Sequence, residues 1–215
     1  MRDALTIAVP KGRQLDRLST HLAERGIDVA FAERELIATS DDGRLRFLLV
    51  KNDDLATYVG HGTAGLGICG TDKLGETMHR FYALGALPFG EDRMCLIGRR
   101  GDPVDVAAGT SVRVATRYPA AARAFFHTRG IPVEIIKLSG SVELALVLGL
   151  APLIVDLVET GRTLEAHDLE VVEELAQTQI QLIANPAIYK ICYRKVGEFA
   201  QRLLASVATN GVGGG

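Results

Sequence analysis

The chain has 215 residues, of which 47% are hydrophobic, enough for a core in one large domain or two small ones. Its 24 Lys and Arg against 26 Asp and Glu leave a net charge of -2, which argues against a general nucleic-acid surface or an anionic-membrane binder. No apolar run reaches the roughly 18 residues of a membrane span, and no charged leader precedes a long apolar region, so the expected location is cytoplasmic. Cys69, Cys95 and Cys192 are odd in number and set among apolar neighbours, the pattern of buried thiols.

The first element is a strand over Ala4 to Pro10, followed by Lys11-Gly12-Arg13 and an amphipathic helix from about Gln14 to Arg25 with Leu15, Leu18 and Leu22 on its apolar stripe. Cations thus sit in a strand-to-helix loop, where open α/β folds bind ligands. Phe31 to Thr39 reads as a strand around Arg34, turned by Asp41-Asp42-Gly43 into a second strand over Arg44 to Val50 that delivers Lys51 at its end. A helix through about Val59 and a buried strand Ala64 to Cys69 follow, ending in Gly70-Thr71-Asp72. Pro88 and Gly90 interrupt the periodicity, so Leu87 to Arg93 reads as a crossover to a second α/β unit. That unit contains a strand over Met94 to Gly98, a strand over Val112 to Thr116, a helix from Pro119 to about Arg129 and a strand over Val133 to Leu138. Ser139-Gly140-Ser141 then leads into a short helix with Glu143. Leu169 to Leu175 and Gln179 to Ala184 resemble antiparallel strands, and Pro186 opens a long helix to about Ala208 that packs back on the first half. The predicted fold is α/β, two lobes with a cleft between them, the cleft in which the family resemblance described below implies the active site. The first lobe is 1–90 plus 186–209, the second is 91–185, and 210–215 is a disordered tail.

The stretch Leu153 to Leu164 carries the sharpest chemistry. An apolar strand ends in Asp156 and Glu159, and Thr160-Gly161-Arg162-Thr163 makes a turn that opens a short helix ending its first turn near Leu164. Glycine lets the backbone approach an anion, threonine hydroxyls donate to it, and N–H groups at a helix start point the same way. The carboxylates accept hydrogen bonds from sugar hydroxyls, so a sugar phosphate satisfies both halves. A strand, a turn and a capped helix without a ligand is the plain structural alternative. Competing chemistries lack their residues. The five histidines have no metal-ligand spacing, no serine sits in a Gly-x-Ser-x-Gly elbow, and neither a dinucleotide glycine loop nor a Walker lysine motif is present.

Taken together, Val9-Pro10-Lys11-Gly12-Arg13, Arg46-Phe47-Leu48-Leu49-Val50, Thr57-Tyr58-Val59, Leu66-Gly67-Ile68-x-Gly70-x-Asp72, Ala115-Thr116-Arg117-Tyr118-Pro119, the run Ile136 to Leu144 and the Asp156 to Leu164 loop resemble ATP phosphoribosyltransferase, the first enzyme of histidine biosynthesis. The resemblance implies two periplasmic-binding-protein-like lobes and transfer of the phosphoribosyl group of phosphoribosyl pyrophosphate to N1 of the adenine of ATP, releasing pyrophosphate. It implies Asp156, Glu159, Thr160, Gly161, Arg162, Thr163 and Leu164 as the phosphoribosyl-binding loop, and Arg34 and Lys51 as catalytic cations on the leaving diphosphate. Lys11, Gly12, Arg13, Asp72, Ser139, Gly140, Ser141 and Glu143 fall in the nucleotide and diphosphate site it implies. The cofactor it implies is Mg2+ held mainly by the substrate phosphates. Lys51, Gly65, Asp92 and Pro152 depart from the residues more usual for the family. The length is that of the short form, which implies a separate regulatory subunit resembling histidyl-tRNA synthetase and a hetero-octamer. A non-catalytic two-lobed binder of small anions, or a phosphoribosyltransferase for another base, is the alternative.

Overall fold

A computed structural model describes residues 4–32, 35–102, 104 and 111–205. Its elements in chain order are β1 (Leu5–Pro10), α1 (Arg13–Ala23), β2 (Ile37–Thr39), β3 (Leu45–Val50), α2 (Asn52–Gly60), β4 (Leu66–Gly70), α3 (Thr71–Leu74), β5 (Tyr82–Ala86), β6 (Asp92–Arg99), β7 (Val112–Thr116), α4 (Pro119–Thr128), β8 (Val133–Lys137), α5 (Glu143–Val147), β9 (Leu153–Val158), α6 (Arg162–Ala166), β10 (Leu169–Thr178), β11 (Ile180–Ala184), α7 (Pro186–Ile191) and α8 (Tyr193–Leu204). The chain divides into two compact units, Met1–Cys69 with Met78–Phe89 and Ile180–Gly215, and Gly70–Thr77 with Gly90–Gln179.

The first unit is built on a six-stranded sheet in the order β2-β3-β1-β4-β11-β5. Strand β1 pairs in parallel with β3 and with β4, which flank it on opposite sides. Leu5, Ile7 and Val9 alternate onto one face, where Leu18 and Leu22 of α1 and Val196, Phe199 and Leu203 of α8 close the core. Helix α2 covers the other face at close range. A Cβ on Gly67 would lie 2.7 Å from Val59 and 2.9 Å from Leu55, so glycine is what lets this helix seat on β4. The imidazole of His21, buried between α1 and α8, meets the Leu203 carbonyl at 2.9 Å, and burial lowers its pKa.

The second unit is built on a five-stranded sheet in the order β10-β6-β9-β7-β8. β7, β8 and β9 are parallel, and β6 runs antiparallel to β9 and β10. Both faces are covered. Leu153 and Val155 of β9 join Tyr118, just before α4, and Ala122 and Phe126 on it, whereas Ile154 and Val158 join Val142, Ala145, Leu146 and Leu164 from the other side. An apolar run without polar alternation is what a strand buried on both faces requires.

Several expectations change. Strand β2 starts at Ile37, and Arg34 lies outside the described residues. Its hairpin with β3 is closed by the Asp42 carboxylate, which accepts from the Ser40 hydroxyl at 2.6 Å and the Arg44 N–H at 3.0 Å. β10 and β11 are strands, yet they do not pair with each other: β10 pairs with β6 and β11 with β5, in different sheets. β11 therefore belongs to the first unit, which resumes at Ile180 instead of 186, while the segment Gly70–Thr77, expected in the first lobe, belongs to the second. The single helix expected from Pro186 is two, broken at Cys192, whose φ of -113° and ψ of 26° leave the helical region. Asn185 caps the first of them, its side-chain oxygen accepting from Ala187 and Ile188. Residues 206–215, the expected helix end and tail, lie outside the described residues.

Candidate functional site

In the second unit β7 runs through α4 to β8 on one side, and β8 runs through α5 to β9 on the other. Strand order reverses at β7 and β9, which opens a crevice at their carboxyl ends, the usual ligand position of an α/β sheet. Thr116-Arg117-Tyr118 and Asp156 to Glu159 meet at that edge, and Ser139, Gly140, Ser141 and Glu143 follow the carboxyl end of neighbouring β8.

Asp156 is half-buried on β9, opposite Cys95 of β6, and its Oδ1 accepts the Leu157 N–H at 2.8 Å. Burial raises its pKa above the ordinary aspartate value, Glu143 adds to the rise, and the Leu157 bond and the charges of Arg117 and Lys73 act against it. Glu159 is exposed and lines a groove of about 420 Å³ with Glu91, Arg93 and Gln179.

Thr160, Arg162 and Thr163 are exposed around Gly161, whose φ of +77° is left-handed. An L side chain is strained there, although a Cβ would meet nothing within 4 Å. The space above the glycine is open, and the first N–H groups of α6 have no acceptor within their own helix. Leu164 points inward as an anchor. The loop thus offers hydroxyls and N–H groups outward on an apolar root.

Asp72 is buried among second-unit residues, where its charge adds to burial in raising the Tyr118 pKa. Lys11 and Lys51 belong to the first unit, where strand order reverses at β1; both are exposed, and the Lys11 N–H donates to the Val50 carbonyl at 3.0 Å, joining the ends of β1 and β3. Gly12, with φ +91°, makes the turn into α1. Arg13 begins that helix, and its side chain lies outside the described residues, as does the whole of Arg34.

Sequence reasoning passed over Lys73, Arg117 and Tyr118 as site residues. The available signal was Thr116-Arg117-Tyr118-Pro119, a strand end running into a proline-started helix and the same kind of junction that singled out Lys11. Among the described residues no group of three or more His, Cys, Asp or Glu is placed to hold a metal ion. No described helix is long and apolar enough to cross a membrane.

Residues 51–205 match the family model HisG, ATP phosphoribosyltransferase. The ATP phosphoribosyltransferase of Sorangium cellulosum (strain So ce56) is 42% identical over 214 residues, covering 98% of this chain and 100% of that relative. Among solved structures, the ATP phosphoribosyl transferase (HisG:HisZ) complex from Thermotoga maritima aligns with a TM-score of 0.81 at 33% identity, over 93% of this chain and 96% of that one. Holo ArgBP from T. maritima aligns with a TM-score of 0.55 at 15% identity, over 95% and 92% of the two chains, a likeness of fold alone that marks the two units as periplasmic-binding-protein-like lobes.

Proposed function

This chain belongs to the ATP phosphoribosyltransferase family of histidine biosynthesis, and from that premise we propose how its residues divide the reaction. The observation that carries the reading is the carboxyl edge of β9, where a half-buried carboxylate stands a few residues from a left-handed glycine with open space above it.

The Thr160 to Thr163 turn holds the 5′-phosphate of phosphoribosyl pyrophosphate through its hydroxyls and N–H groups. Asp156 and Glu159 accept hydrogen bonds from the ribose hydroxyls, and their charge favours the cation that develops on the sugar as the bond to pyrophosphate breaks. Adenine N1 of ATP is nucleophilic without an activated side chain, so the enzyme's work is orientation and charge stabilisation. Arg34 and Lys51 meet the negative charge on the departing diphosphate, while Lys11, Gly12 and Arg13 contribute to the polyphosphate site. Ser139, Gly140, Ser141 and Glu143 shape the nucleotide side. Magnesium bound with the substrate phosphates supplies further charge neutralisation.

A separate subunit of the HisZ kind, as in the T. maritima complex, is the expected partner, in a cytoplasmic hetero-octamer; the likeness to a chain of that complex in fold and sequence supports the partner. The test is incubation with ATP, phosphoribosyl pyrophosphate and magnesium, with and without the HisZ-type subunit, following N1-phosphoribosyl-ATP. Product in either arm is expected, and none in both defeats the reading.

A further inference from the structure

The segment Gly70–Thr77 leaves the first sheet at the end of β4 and is nevertheless built into the second unit. Its side chains make the attachment. The Glu76 carboxylate accepts the N–H groups of Ala120 at 2.8 Å and Ala121 at 2.9 Å, donors that α4 leaves unpaired in its first turn. Thr71 Oγ1 accepts the Gln179 N–H at 3.1 Å, and the Thr71 N–H donates to the Gln179 carbonyl at 3.0 Å. Lys73 falls between these two anchors in sequence, and its Nζ stands 4.7 Å from the centre of the Tyr118 ring, one residue before α4. Tyr118 is enclosed, at 2% exposure, and Lys73 is half-buried. The ammonium is thereby held at the carboxyl end of β7 by a contact of its own side chain and by the bonds of its own segment.

That place is the counterpart of the phosphate turn. The second sheet carries an apolar layer on each face: Leu164, the root of α6, packs in one with Ile154 and Val158, and Tyr118 packs in the other with Leu153 and Val155. Residues alternate between the faces along β9, so the Thr160 to Thr163 turn and Lys73 stand on opposite sides of the strand end that carries Asp156. Phosphoribosyl pyrophosphate has the same arrangement, a monophosphate on C5 at one end of the ribose and a diphosphate on C1 at the other. With the monophosphate on the turn and the ribose on Asp156, the diphosphate extends toward the α4 side.

We propose that Lys73 binds the diphosphate of the sugar donor, and that Glu76 is the positioning residue that holds it there. The proposal rests on the reading of the Thr160 to Thr163 turn and Asp156 as the site of the 5′-phosphate and the ribose. In the transfer, the bond from adenine N1 to C1 forms as the bond from C1 to the diphosphate oxygen breaks, and the electron pair of the broken bond leaves with the diphosphate. A fixed ammonium beside that group is worth most once the charge has arrived.

Lys73→Met keeps the stem on the tyrosine ring and removes the charge. In the full chain, assayed with the HisZ-type subunit, kcat is expected to fall about tenfold, and the affinity for pyrophosphate, read as product inhibition, to fall about tenfold. Ribose 5-phosphate has the sugar and the monophosphate without the diphosphate, and its affinity by calorimetry is expected to change less than about twofold. Lys73→Arg keeps the charge and should recover to within about threefold of wild type. Glu76→Ala should show the same split between pyrophosphate and ribose 5-phosphate, and adding Lys73→Met to it should cost less than about twofold more, because the lysine has already lost its place. Unchanged pyrophosphate inhibition in Lys73→Met, or an equal loss of pyrophosphate and ribose 5-phosphate affinity, overturns the diphosphate role. A further tenfold loss in the Glu76→Ala background, about the whole effect of Lys73→Met alone, overturns the positioning role of Glu76. Native affinity for ribose 5-phosphate in Asp156→Asn overturns the ribose reading instead, so the failures are told apart.

Discussion

The two sheets reverse their strand order in the same way and furnish the reversal with opposite chemistry. In the first unit the carboxyl ends of β1 and β3 deliver Lys11 and Lys51 to solvent. The corresponding edge of the second unit holds Asp156 half-buried, its pKa raised by burial, next to a strand end at which Thr116 and Tyr118 are enclosed and hydrogen-bonded. Exposed cations on flexible stems attract a polyanion and tolerate displacement; their contribution is electrostatic and is screened by salt. A carboxylate on a supported strand is fixed in direction and coupled to pH. On the proposed roles, one unit attracts charge and the other orients a sugar.

The sharpest way to break this contrast is at Gly161. Gly161→Val is expected to weaken the donor about a hundredfold, measured by calorimetry with phosphoribosyl pyrophosphate, because a β-branched residue is strained at positive φ and fills the open space. Gly161→Asn separates the two causes, since asparagine tolerates the left-handed region. It too is expected to lose affinity, and full binding by the asparagine variant removes the close approach of backbone to phosphate.

A smaller effect is expected at Lys51. Lys51→Ala should lower kcat about tenfold with a lesser change in donor KM, and the deficit should narrow as salt rises, because the exposed lysine of the wild-type enzyme is screened. A deficit that does not change with ionic strength marks Lys51 as a directed contact and erases the proposed difference between the units. Arg34→Ala, in the same role, should behave alike.

The smallest effect is on stability. A carboxyl whose pKa is raised in the folded state binds its proton more readily there than in the unfolded chain, so its contribution to stability is greatest in acid and is lost as pH rises through the folded pKa. Asp156→Asn removes the buried charge. The ligand-free variant should melt roughly 2 °C above wild type at pH 7, with the gap closing as the pH is lowered toward the ordinary aspartate range. A gap independent of pH means that Asp156 is not penalised by burial.

Much of this was legible from local pattern. The strand, carboxylates and glycine turn from Leu153 to Leu164 declare themselves because an apolar run, a pair of acids and a left-handed turn each leave a mark on neighbouring residues. Lys11 and Lys51 were legible as strand ends for the same reason. Tyr118 was not. Nothing near it in sequence announces that Lys73 stands over its ring, or that Thr116 bonds across to Val155.

The residues by themselves determined most element types, the family and the strand, turn and short helix of Leu153 to Ala166, since these depend on side-chain period, turn chemistry and short motifs. Only the tertiary structure decided that β11 enters the first sheet and that Gly70–Thr77 is clasped into the second unit. Strand partners and buried hydrogen bonds are choices among distant groups, and a group taken from water settles on whichever distant partner the packed fold brings within reach.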